Sequence, residues 1–133
     1  MKYLVDTNIL IFLLNSKSSK LQRKFTRRDI RQFGVSSITV AELIYGARKS
    51  RLIERNTNAV IKMLSSFELL DFTSADAFEY GDIRADLESK GKGIGGNDLL
   101  IVAQARRLGL IVLTANTGEF SRVSGLKVED WTK

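Results

Sequence analysis

Apolar residues along this chain occur in two patterns, short unbroken runs and helical stripes, and the two alternate. Tyr3, Leu4 and Val5 form a run that stops at Asp6-Thr7-Asn8, after which Ile9, Leu10, Phe12, Leu13 and Leu14 predict a buried helix. Ser19 to Arg31 carries Leu21, Phe25 and Ile30 amid charge, the pattern of a surface helix, and Phe33 to Ser36 reads as a second strand. A helix follows from about Thr39 to Arg48, then an amphipathic one within Leu52 to Ser66, with Leu52, Ile53, Val60, Ile61 and Leu64 apolar. Phe67 to Phe72 predicts a third strand. Ala75 to Lys90 is helical by propensity and stops at Gly91, a normal C-terminal signal. Asn97 is placed to cap a central helix that opens at Asp98 and runs through the apolar Leu99 to Ala103. Leu110 to Thr114, almost wholly apolar, fits a fourth strand covered on both faces, and Lys127 to Glu129 a fifth at the edge.

Strands alternating with helices predict an α/β fold, a central mostly parallel sheet of four to five strands with helices on both faces. At 133 residues and 44% hydrophobic content the chain is long and apolar enough for one core-bearing domain, residues 1–133. No segment has linker composition, Pro is absent, and no internal repeat is visible.

Composition then narrows the chemistry. With no Cys and no His there is no disulfide, no thiolate nucleophile, no imidazole base and no usual zinc site. Any catalysis must use carboxylates, hydroxyls, amides, Lys or Arg. The apolar start is interrupted by Asp6 and Asn8 and falls well short of the ~20 residues that span a bilayer, so a soluble cytoplasmic protein with no membrane role is expected. The net charge of +6 is bunched into two stretches, Lys17 to Arg31 and Arg48 to Arg55. Such stretches are commonly the solvated faces of helices, yet they also suit a polyanionic partner.

Acidic and amide side chains are placed where the predicted topology would gather them. Asp6 follows strand one, Glu42 lies in the first turn of the helix after strand two, Asp98 opens the helix before strand four, and Asn116 follows strand four with Glu119 close behind. Open parallel sheets bind ligands at the carboxyl ends of their strands, and all of these positions face that edge. Structural roles are available to each: Thr39 and Glu42 make a T-x-x-E capping box, Asp98 suits a helix dipole, and Asn116 and Glu119 suit a turn. Asp6 is different, because a carboxylate wedged between Leu4-Val5 and Ile9-Leu10 is costly to desolvate unless paired or metal-bound. Crowded carboxylates repel one another, and a hard divalent ion such as Mg²⁺ or Mn²⁺ reverses that penalty, lowers the pKa of a bound water and permits phosphodiester hydrolysis without a His base.

Four segments, LVDTNIL, SSITVAELIYGA, GIGGNDLLIVAQA and LTANTGEF, with VEDW near the end, closely resemble the PIN-domain toxins of the VapC group over essentially the whole chain. The resemblance implies a PIN fold and a Mg²⁺- or Mn²⁺-dependent endoribonuclease that cuts a structured RNA. It favours a tRNA, at the anticodon loop of initiator tRNA. It further implies a VapB-type antitoxin that blocks the site, a homodimer, and a larger toxin–antitoxin assembly on operator DNA through the antitoxin. By the same resemblance Asp6, Glu42 and Asp98 are the catalytic and metal-binding triad, Asn8 and Thr114 support them, and Asn116 and Glu119 complete the set. Many relatives carry Asp where Asn116 stands, so one firmly held ion is expected, with Glu119 in an outer or second-metal role.

Two motif matches point elsewhere and fail on context. Gly91 to Gly96 fits G-x-G-x-x-G but follows a charged helix and not a strand, so a flexible turn that lets Asp98 approach the other acids is the expectation. The DTN after strand one lacks the second Asp that an aspartyl-phosphate nucleophile motif needs. Two other function classes remain open on the sequence, a non-catalytic basic module that binds RNA or a partner, and a DNA-directed nuclease.

Overall fold

Three apolar residues and an acid start the sheet. In the computed structural model, which describes residues 1–133, Tyr3–Val5 form β1, and Asp6 ends it in an extended conformation with its Oδ1 accepting from the Thr7 N–H at 2.8 Å. That bond caps helix α1 (Thr7–Leu14). Helix α2 (Ser19–Thr26) is capped by Ser18 and stops short of the expected Arg31, because Asp29 bonds the Arg31 N–H at 2.9 Å and starts a separate 3₁₀ turn, Ile30–Gln32. Strand β2 (Phe33–Ser36) leads into α3 (Ser37–Arg48), followed by α4 (Ile53–Leu64), β3 (Glu68–Leu70) and α5 (Ser74–Ser89). Helix α6 (Gly96–Leu108), β4 (Ile111–Leu113), a short α7 (Thr117–Phe120) and the edge strand β5 (Val128–Glu129) complete the chain.

The strands lie in the order β3-β2-β1-β4-β5, and every pairing is parallel. Alternation along the central strands sorts the core into two layers. Tyr3, Val5, Phe33 and Val35 face α1 to α4, packing with Leu10, Leu21, Leu43, Val60 and Trp131. Leu4 and Val112 face the opposite way onto Ile83, Leu87, Ile101, Val102 and Phe120 of α5 to α7. Helices therefore cover both faces, as expected for unbroken apolar strands. No helix is long and apolar enough to cross a membrane.

The strand order decides where a ligand can sit. From β1 the chain winds outward through β2 to β3, then crosses back to place β4 on the other side of β1. The sheet thus reverses its winding between β1 and β4, and their carboxyl ends splay open there.

Two helix starts differ from expectation, and one short helix is unexpected. Helix α3 is capped by Ser36, whose hydroxyl accepts from the Ile38 N–H at 3.1 Å, and not by Thr39, which is buried inside the first turn. Glu42 consequently lies in the second turn and belongs to no capping box. Helix α6 begins at Gly96 after Gly95, just ahead of the Asn97 cap read from sequence. Helix α7 has too few residues to show a stripe. Of the apolar positions on α4, Val60 and Leu64 enter the core while Ile53 and Ile61, with Leu52 just before the helix, stay exposed.

Candidate active site at the carboxyl edge of the sheet

Asp6 sits at the end of β1, 3% exposed, with each oxygen held. Oδ1 takes the Thr7 N–H, and Oδ2 accepts from the Thr114 hydroxyl at 2.8 Å across the gap to the end of β4. Burial pushes the Asp6 carboxyl above its usual range; the two hydrogen bonds counter this, and the nearby Glu42 and Glu119 charges add to it.

Thr114 is fully buried, and its hydroxyl is saturated: it donates to Asp6 and accepts the Asn116 N–H at 3.0 Å and the Asn8 amide at 3.4 Å. Asn8 completes the bridge by accepting the Ala115 N–H on Oδ1 at 3.2 Å. Both supporting residues named from sequence therefore lock the start of α1 to the segment after β4.

Glu42 reaches the same edge from α3. Its Oε1 accepts from the Thr7 hydroxyl at 2.7 Å, and the Thr7 and Thr39 hydroxyls lie 3.1 Å apart. Thr7 thus contributes twice, its backbone to Asp6 and its side chain to Glu42. The sequence puts Thr7 inside the first motif without showing that role; its position beside a strand-ending acid, facing the helix after β2, is the available signal.

Asp98 stands in the first turn of α6, and its carboxyl is pushed up to about 7, first by burial and then by the charges of Asp6, Glu119 and Glu42. A helix dipole would favour the charged carboxylate; here burial, and after it the neighbouring acids, outweigh that preference. Glu119 takes the opposite course. The Gly95 N–H at 2.9 Å and the Asn116 amide at 2.6 Å bind its two oxygens and hold it below the usual range. A Cβ on Gly95 would lie 3.4 Å from Asp98 Oδ2 and 4.0 Å from Glu119 Oε1, so this backbone runs against both acids. Arg122 ties down the same loop by donating to the Gly93 carbonyl at 3.1 Å. The segment expected as a flexible turn is instead pinned at two points, through backbone groups that carry no residue-type signal. It follows α5 and not a strand, which disposes of the dinucleotide motif.

The edge therefore gathers Asp6, Glu42, Asp98 and Glu119, and no Lys or Arg forms an ion pair with any of them. No three of the acids converge into a ready-made cage. Oxygen-only donors, mutual repulsion and the absence of any ion pair to these acids suit a hard divalent cation that would keep several of its waters, as Mg²⁺ does. Asp6, Asp98 and Glu42 are the side chains that could hold it.

The basic stretches are only partly free for a polyanion. Arg28 stacks 4.3 Å from the Trp131 ring centroid and Arg31 pairs with Asp29 at 2.6 Å, so these two serve the fold locally.

Known proteins share this architecture along the whole chain. The family model described as PIN domain matches residues 3–126. Over 132 residues, 99% of each chain, the sequence is 41% identical to a Shigella flexneri protein named tRNA(fMet)-specific endonuclease VapC. It is 42% identical over 131 residues, 98% of each chain, to a Haemophilus influenzae protein named Ribonuclease VapC2. A chain in the crystal structure of DNA-bound VapBC from Salmonella typhimurium superposes with a TM-score of 0.94 at 40% identity, covering 98% of both chains.

Proposed function

The chain belongs to the PIN domain family, in its VapC group, and from that premise we propose that it is a divalent-metal-dependent endoribonuclease toxin restrained by a VapB-type antitoxin. Its substrate is a structured RNA, a tRNA first of all, with the anticodon loop of initiator tRNA the favoured target. The name of the Shigella relative supports the tRNA reading. The Salmonella relative's structure as a DNA-bound VapBC complex supports an antitoxin partner and an assembly on DNA, which would suit a toxin homodimer.

The observation that carries the proposal is the meeting of Asp6, Glu42, Asp98 and Glu119 at the point where the sheet reverses, with no cation of the protein paired to them. Mg²⁺ or Mn²⁺ bound there supplies neutralisation of the acids and Lewis-acid activation for phosphodiester hydrolysis. Thr114 and the Thr7 N–H hold Asp6 rigid, which removes the entropy of orienting it. Thr7 holds Glu42 through Oε1, and Oε2 takes no hydrogen bond from the protein. Asp98, its carboxyl pushed up to about 7, is only partly ionised near neutral pH in the metal-free protein, and a bound cation would favour its charged form. Glu119 is already held by Gly95 and Asn116, an arrangement that suits an outer role and one firmly bound ion. The basic surface draws the RNA backbone toward acids that would otherwise repel it.

Sequencing of RNA 5′ ends after brief induction tests the proposal. New ends concentrated in one tRNA anticodon loop are expected; growth arrest with no new RNA ends would overturn it.

A further inference from the structure

Beside the acids, along α3, runs an open groove of about 530 Å³ lined by Thr7, Ile38, Glu42, Tyr45, Lys49 and Asn97 among others. Thr7 and Glu42 also belong to the acidic site, so the groove and the site are continuous. Tyr45 lies one helical turn beyond Glu42 on the same face of α3 and leaves 66% of its surface exposed. Lys49, a further turn on, sets its ammonium 4.9 Å from the Tyr45 ring centroid. Asn97 is exposed and adjoins Asp98 on the other wall.

An exposed aromatic ring with a cation over one of its faces, leading directly to a cluster of acids, matches single-stranded nucleic acid, whose base can stack on the other face. Every base offers a face for stacking, and every nucleotide brings one phosphate for the cation. We propose that this groove is a nucleotide subsite, in which the base next to the scissile phosphate stacks on Tyr45, Lys49 contacts that nucleotide's phosphate and the Asn97 amide faces the base edge. The inference rests on the endoribonuclease reading and deepens it. Bases in a duplex cannot reach an exposed ring, so the subsite selects loops and other splayed segments.

The test uses the full chain and a short fluorescein-labelled single-stranded RNA, with Kd read by anisotropy in EDTA and KM and kcat read in Mg²⁺. Tyr45→Ala raises Kd and KM roughly tenfold, the loss of one stacked base, while kcat changes by less than about twofold. Tyr45→Phe keeps the ring and restores both. Lys49→Ala lowers the slope of log Kd against log salt by roughly 0.7, one phosphate contact. Unchanged Kd and KM in Tyr45→Ala overturn the subsite, including the case in which that variant instead breaks an oligomer by light scattering and so assigns the face to a protein. If RNA binding depends on Tyr45 but no metal supports cutting, the subsite stands and the endoribonuclease reading fails. If cutting proceeds and ignores Tyr45, the reading stands and the subsite fails.

Discussion

The Thr114 hydroxyl donates to Asp6 Oδ2 at 2.8 Å, joining residues 108 positions apart across the point where the sheet reverses its winding. One proton and two lone pairs thereby fix an acid from β1, a backbone N–H after β4 and an amide from α1.

Replacing Thr114 with Val keeps the volume and removes the hydroxyl, so Asp6 Oδ2 and the Asn116 N–H lose a buried partner. Urea denaturation should show a loss of about 1–3 kcal/mol, and cleavage by the folded variant should fall roughly ten- to a hundredfold. Thr114→Ser should recover most of both.

Asn116→Asp replaces the donor that holds Glu119 Oε2 at 2.6 Å with a like charge. Calorimetric titration with Mg²⁺ or Mn²⁺ should reveal one firm site in the natural chain and a second in the variant. Two tight sites in the natural chain would remove the proposed role of Glu119.

The Asp98 carboxyl sits at about 7, above its value in an unfolded chain. Below about pH 4 it is neutral in both states; as pH rises toward 7 the unfolded carboxyl ionises first, so the metal-free fold loses stability over that window. Asp98→Asn should therefore stabilise the metal-free protein near pH 8 by on the order of 1–2 kcal/mol, a figure already reduced for solvent screening, and leave stability near pH 4 unchanged. Thermal melts in EDTA across that range check this. Added Mg²⁺ should stabilise the natural chain much more than the variant.

Asp76 is fully buried, capping α5 through the Thr73 N–H at 2.8 Å and pairing with Arg107 of α6. Burial pushes its carboxyl up, but the Arg107 and Thr73 bonds outweigh this and hold it below the usual range. Asp76→Ala should cost about 2–4 kcal/mol in urea denaturation at neutral pH. Because the natural carboxyl is depressed, the part of that contribution tied to its charge is lost as pH falls below about 4, and the gap between the two proteins should narrow there. Cleavage by the folded variant should stay near the natural level, since Asp76 pairs at the opposite end of α6 from Asp98.

Much of the fold is legible in the chain. Apolar runs at Tyr3 to Val5, Phe33 to Ser36 and Leu110 to Thr114 announce central strands, because a strand buried on both faces needs no alternation. Asp6 stands out in the sequence because a carboxylate at the end of such a run is costly to desolvate unless it is paired or metal-bound, and the structure also uses it to cap α1. What stays hidden depends on backbone groups and on short-range competition. Ser36 and Thr39 are both good caps, and only the extended backbone at Ser36 decides between them. The capping box of Thr73 and Asp76 has a weak signature because Asp replaces the usual Glu. The Gly95 N–H that grips Glu119 has no signature at all, since any residue type carries one.

Metal-dependent cutting by the Asp6, Glu42 and Asp98 set is open to a single assay. Purified protein is incubated with end-labelled initiator tRNA in Mg²⁺, then in EDTA, with Asp6→Ala, verified as folded by circular dichroism, run alongside. Discrete cleavage in Mg²⁺ that disappears in EDTA and in the variant is the predicted result. Cutting that survives EDTA, or RNA binding equal in both proteins with no metal-dependent cutting at all, would contradict it.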